Sequence, residues 1–251
     1  MALNWVSRYL MVTLLIATRN PHKVEEIRAI LGDAFAYRTL LDLPDAPQVV
    51  EDAPTFTGNA IKKAVELAKW IAALPAGFPG PRDPSGTVPT GVRSSYVLAD
   101  DSGLEVDWLK GAPGVHSARF AALDAGSLTE NSSAEANNAK LLRLLSDVPP
   151  DQRTGRFRCV LALAPILQPE TMNASPACSA DEVEMQTEIF EGTCEGKIAF
   201  TPSGTNGFGY DPLFIPAGYR QTFAELSESE KNRLSHRAQA LAHLKQRLNP
   251  A

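Results

Sequence analysis

The chain has 251 residues, 44% of them hydrophobic and 21% charged, which is enough to close a full core without disulfide or metal staples. Its net charge of −5 removes the global basic footprint of a nucleic-acid binder, although a local Lys and Arg cluster can still hold a small anion. Three widely spaced cysteines (Cys159, Cys178, Cys194) without a C-x-x-C exclude a thiol zinc site and fit free thiols in a reducing cytoplasm.

The apolar run from Leu10 to Ala17 is too short to span a membrane. It reads as a first buried strand, Val12–Ala17, preceded by an N-terminal extension over 1–11. The tight turn Thr18-Arg19-Asn20-Pro21 follows. Pro21 suits a first helical position, and Val24, Ile27 and Leu31 recur at helical spacing. A second helix is expected over Gly58–Ala73. Residues 75–95, rich in Pro and Gly, read as a surface insertion. A strand is expected over 96–100, ending in Asp100 and Asp101, with Ser102 and Gly103 turning the chain. A helix over 134–146 comes next, then a strand over Arg156–Ala164. A second insertion spans 165–182. Glu184–Thr193 is expected to pair with 156–164 as a hairpin. Ser227-Glu228-Ser229-Glu230 is a capping box opening the last helix, with Ser235 as a possible second cap. Strands alternating with helices, plus one hairpin, predict an α/β fold with a mixed sheet in a single domain over 12–251.

Four segments can carry chemistry. The strand-to-helix loop at Thr18–Lys23 offers backbone N–H groups, a helix start and an ammonium to an anion; the bland alternative is an ordinary turn. The acidic set Glu51, Asp52, Asp100 and Asp101 suits a hard cation such as Mg²⁺ and a carboxylate that activates water; Asp is equally common in turns. Gly207-Phe208-Gly209-Tyr210-Asp211 allows close approach to a flat ligand, with Phe208 stacking and Asp211 accepting from ring N–H groups. The alternative is a glycine loop whose aromatics enter the core. Lys231 and Ser235-His236-Arg237 are donors near a helix start, or a solvated face. His22, His116 and His243 have no evident partner in the sequence pattern.

In this order the segments resemble the inosine triphosphatase family, the non-standard purine nucleoside triphosphate pyrophosphatases. The resemblance rests on Thr18-x-Asn20-x-x-Lys23, Thr55-Phe56-x-x-Asn59-Ala60-x-x-Lys63-Ala64, Ala99-Asp100-Asp101-Ser102-Gly103-Leu104, Gly111-Ala112-Pro113-Gly114, Ser117-Ala118-Arg119, Gly207-Phe208-Gly209-Tyr210-Asp211-Pro212 and Ser235-His236-Arg237. It covers about residues 12–248. It implies an elongated mixed α/β fold with two lobes around a nucleotide cleft. It implies a cytoplasmic homodimer, requiring Mg²⁺, that cleaves dITP, ITP or XTP into the monophosphate and pyrophosphate. No nucleic-acid or membrane partner is implied.

By position, the resemblance makes Asp101 the general base, and Glu51 and Asp101 the metal ligands. It makes Lys23 and Lys63 phosphate binders, with Thr18, Asn20 and Ser102 beside them. Phe208, Gly209, Tyr210, Asp211, Lys231, His236 and Arg237 fall on the base-recognition segment, with Asp100 in a supporting place. The rival readings are a Maf-type pyrophosphatase for modified pyrimidines, a non-catalytic nucleotide-binding module, and a haloacid-dehalogenase-like phosphatase. The last lacks its D-x-D motif here.

Overall fold

The computed structural model describes residues 12–74, 95–127, 130–167 and 182–248. The N-terminal extension over 1–11 and most of the two insertions lie outside the described residues. Strand β1 (Thr13–Ile16) is buried at all four positions, as its unbroken apolar run requires of a strand covered on both faces. It pairs in parallel with β2 (Ala36–Thr39), Thr13 opposite Ala36. On its other side it pairs in parallel with β3 (Ser95–Val106), Ile16 opposite Leu98. Helix α1 (Pro21–Leu31) makes the crossover from β1 to β2. Asn20 caps it by accepting from the His22 N–H, and Pro21 stands at its start.

The sheet order is β2-β1-β3-β4-β5-β6, with β4 at Thr154–Pro165, β5 at Glu188–Ile198 and β6 at Phe214–Pro216. Cross-strand ion pairs give the sense of the middle strands. Arg156 meets Asp107 and Glu195, whereas Arg158 meets Glu105 and Glu191. Moving up β4 is moving down both neighbours, so β3-β4-β5 is antiparallel, as is β5-β6. The sheet is therefore mixed. Helix α2 (Phe56–Ala72) is capped by Thr55, and α3 (Ala134–Leu144) by Ser133. At the C-terminal end, α4 (Glu228–Leu234) stops where Ser235 caps α5 (His236–Leu248), accepting from Ala238 N–H at 3.2 Å. Ser227 caps α4 as the sequence predicts. The Glu230 carboxylate binds Arg233 and the Tyr219 hydroxyl.

The chain divides into two compact units. One holds the described residues up to Asp100 and those from Leu161 to Phe190; the other holds Asp101–Val160 and the residues from Glu191 onward. In the first, Leu15, Ile27, Ala60, Ala64, Ile71 and Leu98 are fully buried, each large aliphatic contributing about 1.5–3 kcal/mol. In the second, Phe157, Phe214 and Phe223 pack together, Phe157 edge-on to Phe214 at 4.7 Å. Arg153 is also fully buried there. Its guanidinium donates to the carbonyls of Leu145, Ile198 and Ala199, tying the ends of α3 and β5 to the start of β4. Gly192 lies under α5, where an added Cβ would stand 2.1 Å from the His236 carbonyl.

Several expectations need correction. β3 does not turn at Ser102–Gly103; it runs on to Val106. Leu104 and Val106 are fully buried, and their packing outweighs the poor strand propensity of Asp, Ser and Gly. Asp100 and Asp101 therefore project to opposite faces of the strand and do not sit side by side. β5 starts at Glu188 and reaches Ile198, because Lys197 and Ile198 pair with β6; 182–185 form a helical turn. The histidines have neighbours: His22 beside Glu25, His116 accepting from Arg119, and His243 at the Glu191 carbonyl. Cys159 and Cys194 are buried and form no disulfide, and burial pushes the Cys194 thiol up to about 11, which leaves it unreactive near neutral pH. Cys178 lies outside the described residues. No helix among the described residues is long and apolar enough to cross a membrane.

Candidate active site

In the first unit the strand-to-helix loop is closed by its own side chains. Thr18 Oγ1 accepts from the Asn20 N–H at 3.1 Å, and Asn20 Oδ1 accepts from the His22 N–H at 3.0 Å. Both shape the loop at the start of α1. One turn on, Lys23 forms an ion pair with the almost fully buried Asp100 carboxylate. Lys63, on α2, donates to the Asp100 carbonyl at 3.2 Å and pairs with Glu51 at 2.8 Å. Glu51 is thus held one ammonium away from the Asp100 peptide, with its side chain 34% exposed. Asn59 fixes the segment behind Glu51 by accepting from the Ala53 N–H at 2.9 Å. Asp52, by contrast, makes an exposed pair with Lys62, whose hydrogen bond and charge hold the Asp52 carboxyl below its ordinary range.

In the second unit β3 continues with Asp101, 7% exposed, and Ser102. The Arg237 guanidinium, from the first turn of α5, reaches Ser102 Oγ at 3.4 Å. It also lies 5.9 Å from the Phe208 ring centre, with Lys231 Nζ at 4.9 Å. Phe208 is half-buried, so two cations meet an aromatic face that is not sealed into the core. Beneath it, Asp211 Oδ2 accepts from the Phe208 N–H at 2.8 Å and from Lys231 at 2.6 Å. The Asp211 Oδ2 oxygen thus serves the loop itself and gives Asp211 a scaffold role.

Tyr210 is likewise a core residue. Its hydroxyl donates to the Ser117 carbonyl at 2.9 Å, and burial raises its pKa. His236 is 5% exposed and stacks on Phe157 at 4.8 Å.

Gly207 explains the glycine pattern of this loop. At φ +73° it occupies the left-handed region, and an added Cβ would stand 2.0 Å from Asp211 Oδ2. Gly207→Ala is expected to lower the melting temperature by about 5–10 °C, combining backbone strain with displacement of Asp211. Thermal unfolding followed by circular dichroism checks this; a change within about 1 °C would mean that the loop relaxes freely.

The sequence reading missed the anchors that hold the loop: Asn206 Nδ2 donating to the Leu226 carbonyl, and the N–H groups of Thr205 and Asn206 donating to Ala224. Their only sequence signal is the run of glycines. Among the described residues no group of three or more His, Cys, Asp or Glu gathers as a metal cage. Glu51 in the first unit and Asp101 in the second are each the kind of hard oxygen donor that a divalent cation takes alongside water and phosphate oxygens.

Known proteins resemble this chain over most of its length. A protein from Geobacter sulfurreducens named dITP/XTP pyrophosphatase is 44% identical over 95% of this chain and 97% of its own length. One of the same name from Shouchella clausii is 39% identical over 93% of this chain and 94% of its own. The solved structure of a HAM1 protein from Coxiella burnetii superposes with a TM-score of 0.68 at 33% identity, covering 96% of this chain and all of that one. Residues 14–247 match the model of the Ham1 family, and the chain belongs to that family.

Proposed function

We propose that this chain is a nucleoside triphosphate pyrophosphatase that hydrolyses non-standard purine nucleotides (dITP, ITP, XTP, dXTP) to the monophosphate and pyrophosphate. The observation that carries it is the use of three successive residues of β3. Residue 100 receives Lys23 and Lys63, residue 101 is a buried acid, and residue 102 receives the Arg237 that lies over Phe208. The cationic set of the first unit suits phosphates, and the aromatic–guanidinium set of the second suits a purine.

Within that reading Asp101 takes a proton from the attacking water. The water oxygen bonds the α-phosphorus as the bridging oxygen to the β-phosphorus leaves with pyrophosphate. Glu51 and Asp101 would hold a divalent cation, which we take to be Mg²⁺; bound there, it neutralises charge on the phosphate oxygens. Lys23 and Lys63 have three donors each, enough to keep Asp100 and Glu51 and still add a phosphate oxygen. Thr18, Asn20 and Ser102 shape the same pocket. Phe208 stacks on the base. Arg237 donates to its 6-oxo group, a donor that the 6-amino group of adenine leaves unpaired. Mismatch of a buried hydrogen-bonding group can reach discrimination of order 10⁴–10⁵. His236, through its stack on Phe157, sets the first turn of α5. We further propose a cytoplasmic homodimer, in keeping with free cysteines and with the resemblance.

The test is product analysis. The chain is incubated with Mg²⁺ and dITP, XTP, dATP, dGTP or dUTP in turn, and products are separated by anion exchange. Monophosphate and pyrophosphate from dITP and XTP, with dATP far slower, are expected. Orthophosphate as the product, or equal rates on dATP and dITP, would overturn the proposal, and preference for dUTP would favour the pyrimidine reading.

A further inference from the structure

Two adjacent asparagines on α3, Asn137 and Asn138, are both buried, and they differ in one respect. Asn137 uses both ends of its amide: Oδ1 accepts from the Ala121 N–H at 2.8 Å and Nδ2 donates to the Ala118 carbonyl at 3.3 Å. That is a satisfied structural clamp on the 118–121 segment. Asn138 Nδ2 donates to the Gly209 carbonyl at 3.0 Å. Its Oδ1 is buried and has no hydrogen-bond partner among the described residues.

The amide cannot be turned to relieve this, because Oδ1 facing the Gly209 carbonyl would set two acceptors against each other. A buried carbonyl oxygen left unmatched is costly. A residue kept only for packing would be better served by an aliphatic side chain. The bond that it does make falls on the Phe208–Gly209 segment, whose aromatic faces the base in the function proposed above.

We propose that Asn138 is a specificity-determining positioning residue: it pins the Gly209 carbonyl and so sets the pose of Phe208, and its Oδ1 accepts a donor that arrives with the bound nucleotide, a water or a ligand N–H. The inference rests on the pyrophosphatase reading, and acts on the base end of the substrate alone. The phosphate end, carried by Lys23, Lys63 and Glu51, is untouched by it.

The test compares the full chain with Asn138→Asp, which keeps the shape and Oδ1 but loses the donor, and with Asn138→Ser, which is smaller and removes the charge question. Steady-state kcat and KM are measured for dITP and dATP, and thermal unfolding is followed in parallel. Both variants are expected to raise KM for dITP about tenfold and to shrink the dITP/dATP ratio of kcat/KM about tenfold, as the loss of one or two hydrogen bonds allows. The dITP kcat should stay within about threefold of the parent, since the reacting end is unchanged.

An unchanged substrate ratio with a lowered melting temperature would make Asn138 a structural clamp like Asn137, and overturn the inference. Loss of the fold in both variants would do the same. A parent chain that releases no pyrophosphate from dITP would instead sink the pyrophosphatase reading itself. An active parent whose variants keep its base preference sinks this inference alone.

Discussion

Asp101→Asn is expected to lower kcat on dITP by about 10³-fold or more while the melting temperature stays within about 3 °C of the parent. The two halves of that expectation have separate causes. Asparagine has the shape of aspartate and occupies the same slot on β3, so Leu104 and Val106 keep their burial and the strand keeps its course. Removing a negative charge from a site only 7% exposed also removes the cost of keeping it out of water. Turnover, however, loses a proton acceptor, worth about 10²–10⁴-fold, and one of two proposed metal ligands.

Asp100→Asn gives the contrasting result. It removes the Asp100 charge that pairs with the Lys23 ammonium in a nearly buried place. Stability falls there, and activity falls through lost positioning. Initial rates with dITP over a range of Mg²⁺ concentrations, with thermal melts alongside, separate the two aspartates. If the Asp101 variant kept a tenth of the parent kcat, the base would have to be sought elsewhere.

Much of this arrangement is legible in the sequence because short-range signals write it. Asn20 before Pro21, Thr55 before Phe56, Ser133 before Ala134 and Ser227 before Glu228 all announce helix starts. Val97-Leu98-Ala99 announces a buried strand. What short range cannot write is how a strand ends when distant partners extend it. Asp, Ser and Gly at 101–103 look like a turn by propensity, yet Leu104 donates its N–H to Ser117 Oγ and stays in the sheet.

The same gap separates motif from role. The Gly207–Asp211 motif stands out in the sequence, but nothing in it says that Tyr210 bonds Ser117 or that Asp211 bonds Lys231. Those partners lie 93 and 20 residues away in sequence. Arg153 carries even less signal. A single arginine ahead of a strand reads as solvated, whereas here it is fully buried on three carbonyls.

The Asp211–Lys231 pair should give the largest change in stability of any polar substitution in the second unit. The two side chains are 4% and 6% exposed, and their oxygen and nitrogen stand 2.6 Å apart. Taking either charge into such a place alone is expensive, so Asp211→Asn and Lys231→Met are each expected to cost about 3–5 kcal/mol, read from urea unfolding. The double variant should recover most of that loss, since a buried ion pair replaced by neutral groups of similar size is often close to neutral. Exposed pairs such as Arg233–Glu230 should contribute little by comparison.

Recovery of stability should not bring recovery of selectivity. The Phe208 N–H needs an acceptor on Asp211 to hold its ring, and Lys231 stands 4.9 Å from that ring. With both charges gone, the aromatic keeps its place in the chain but has only a neutral amide acceptor at position 211 and no ammonium beside its ring. The double variant is therefore expected to melt near the parent temperature and still show a raised KM for dITP. Two single variants costing under about 1 kcal/mol would mean that water reaches the pair, and the scaffold role of Asp211 would fall with it.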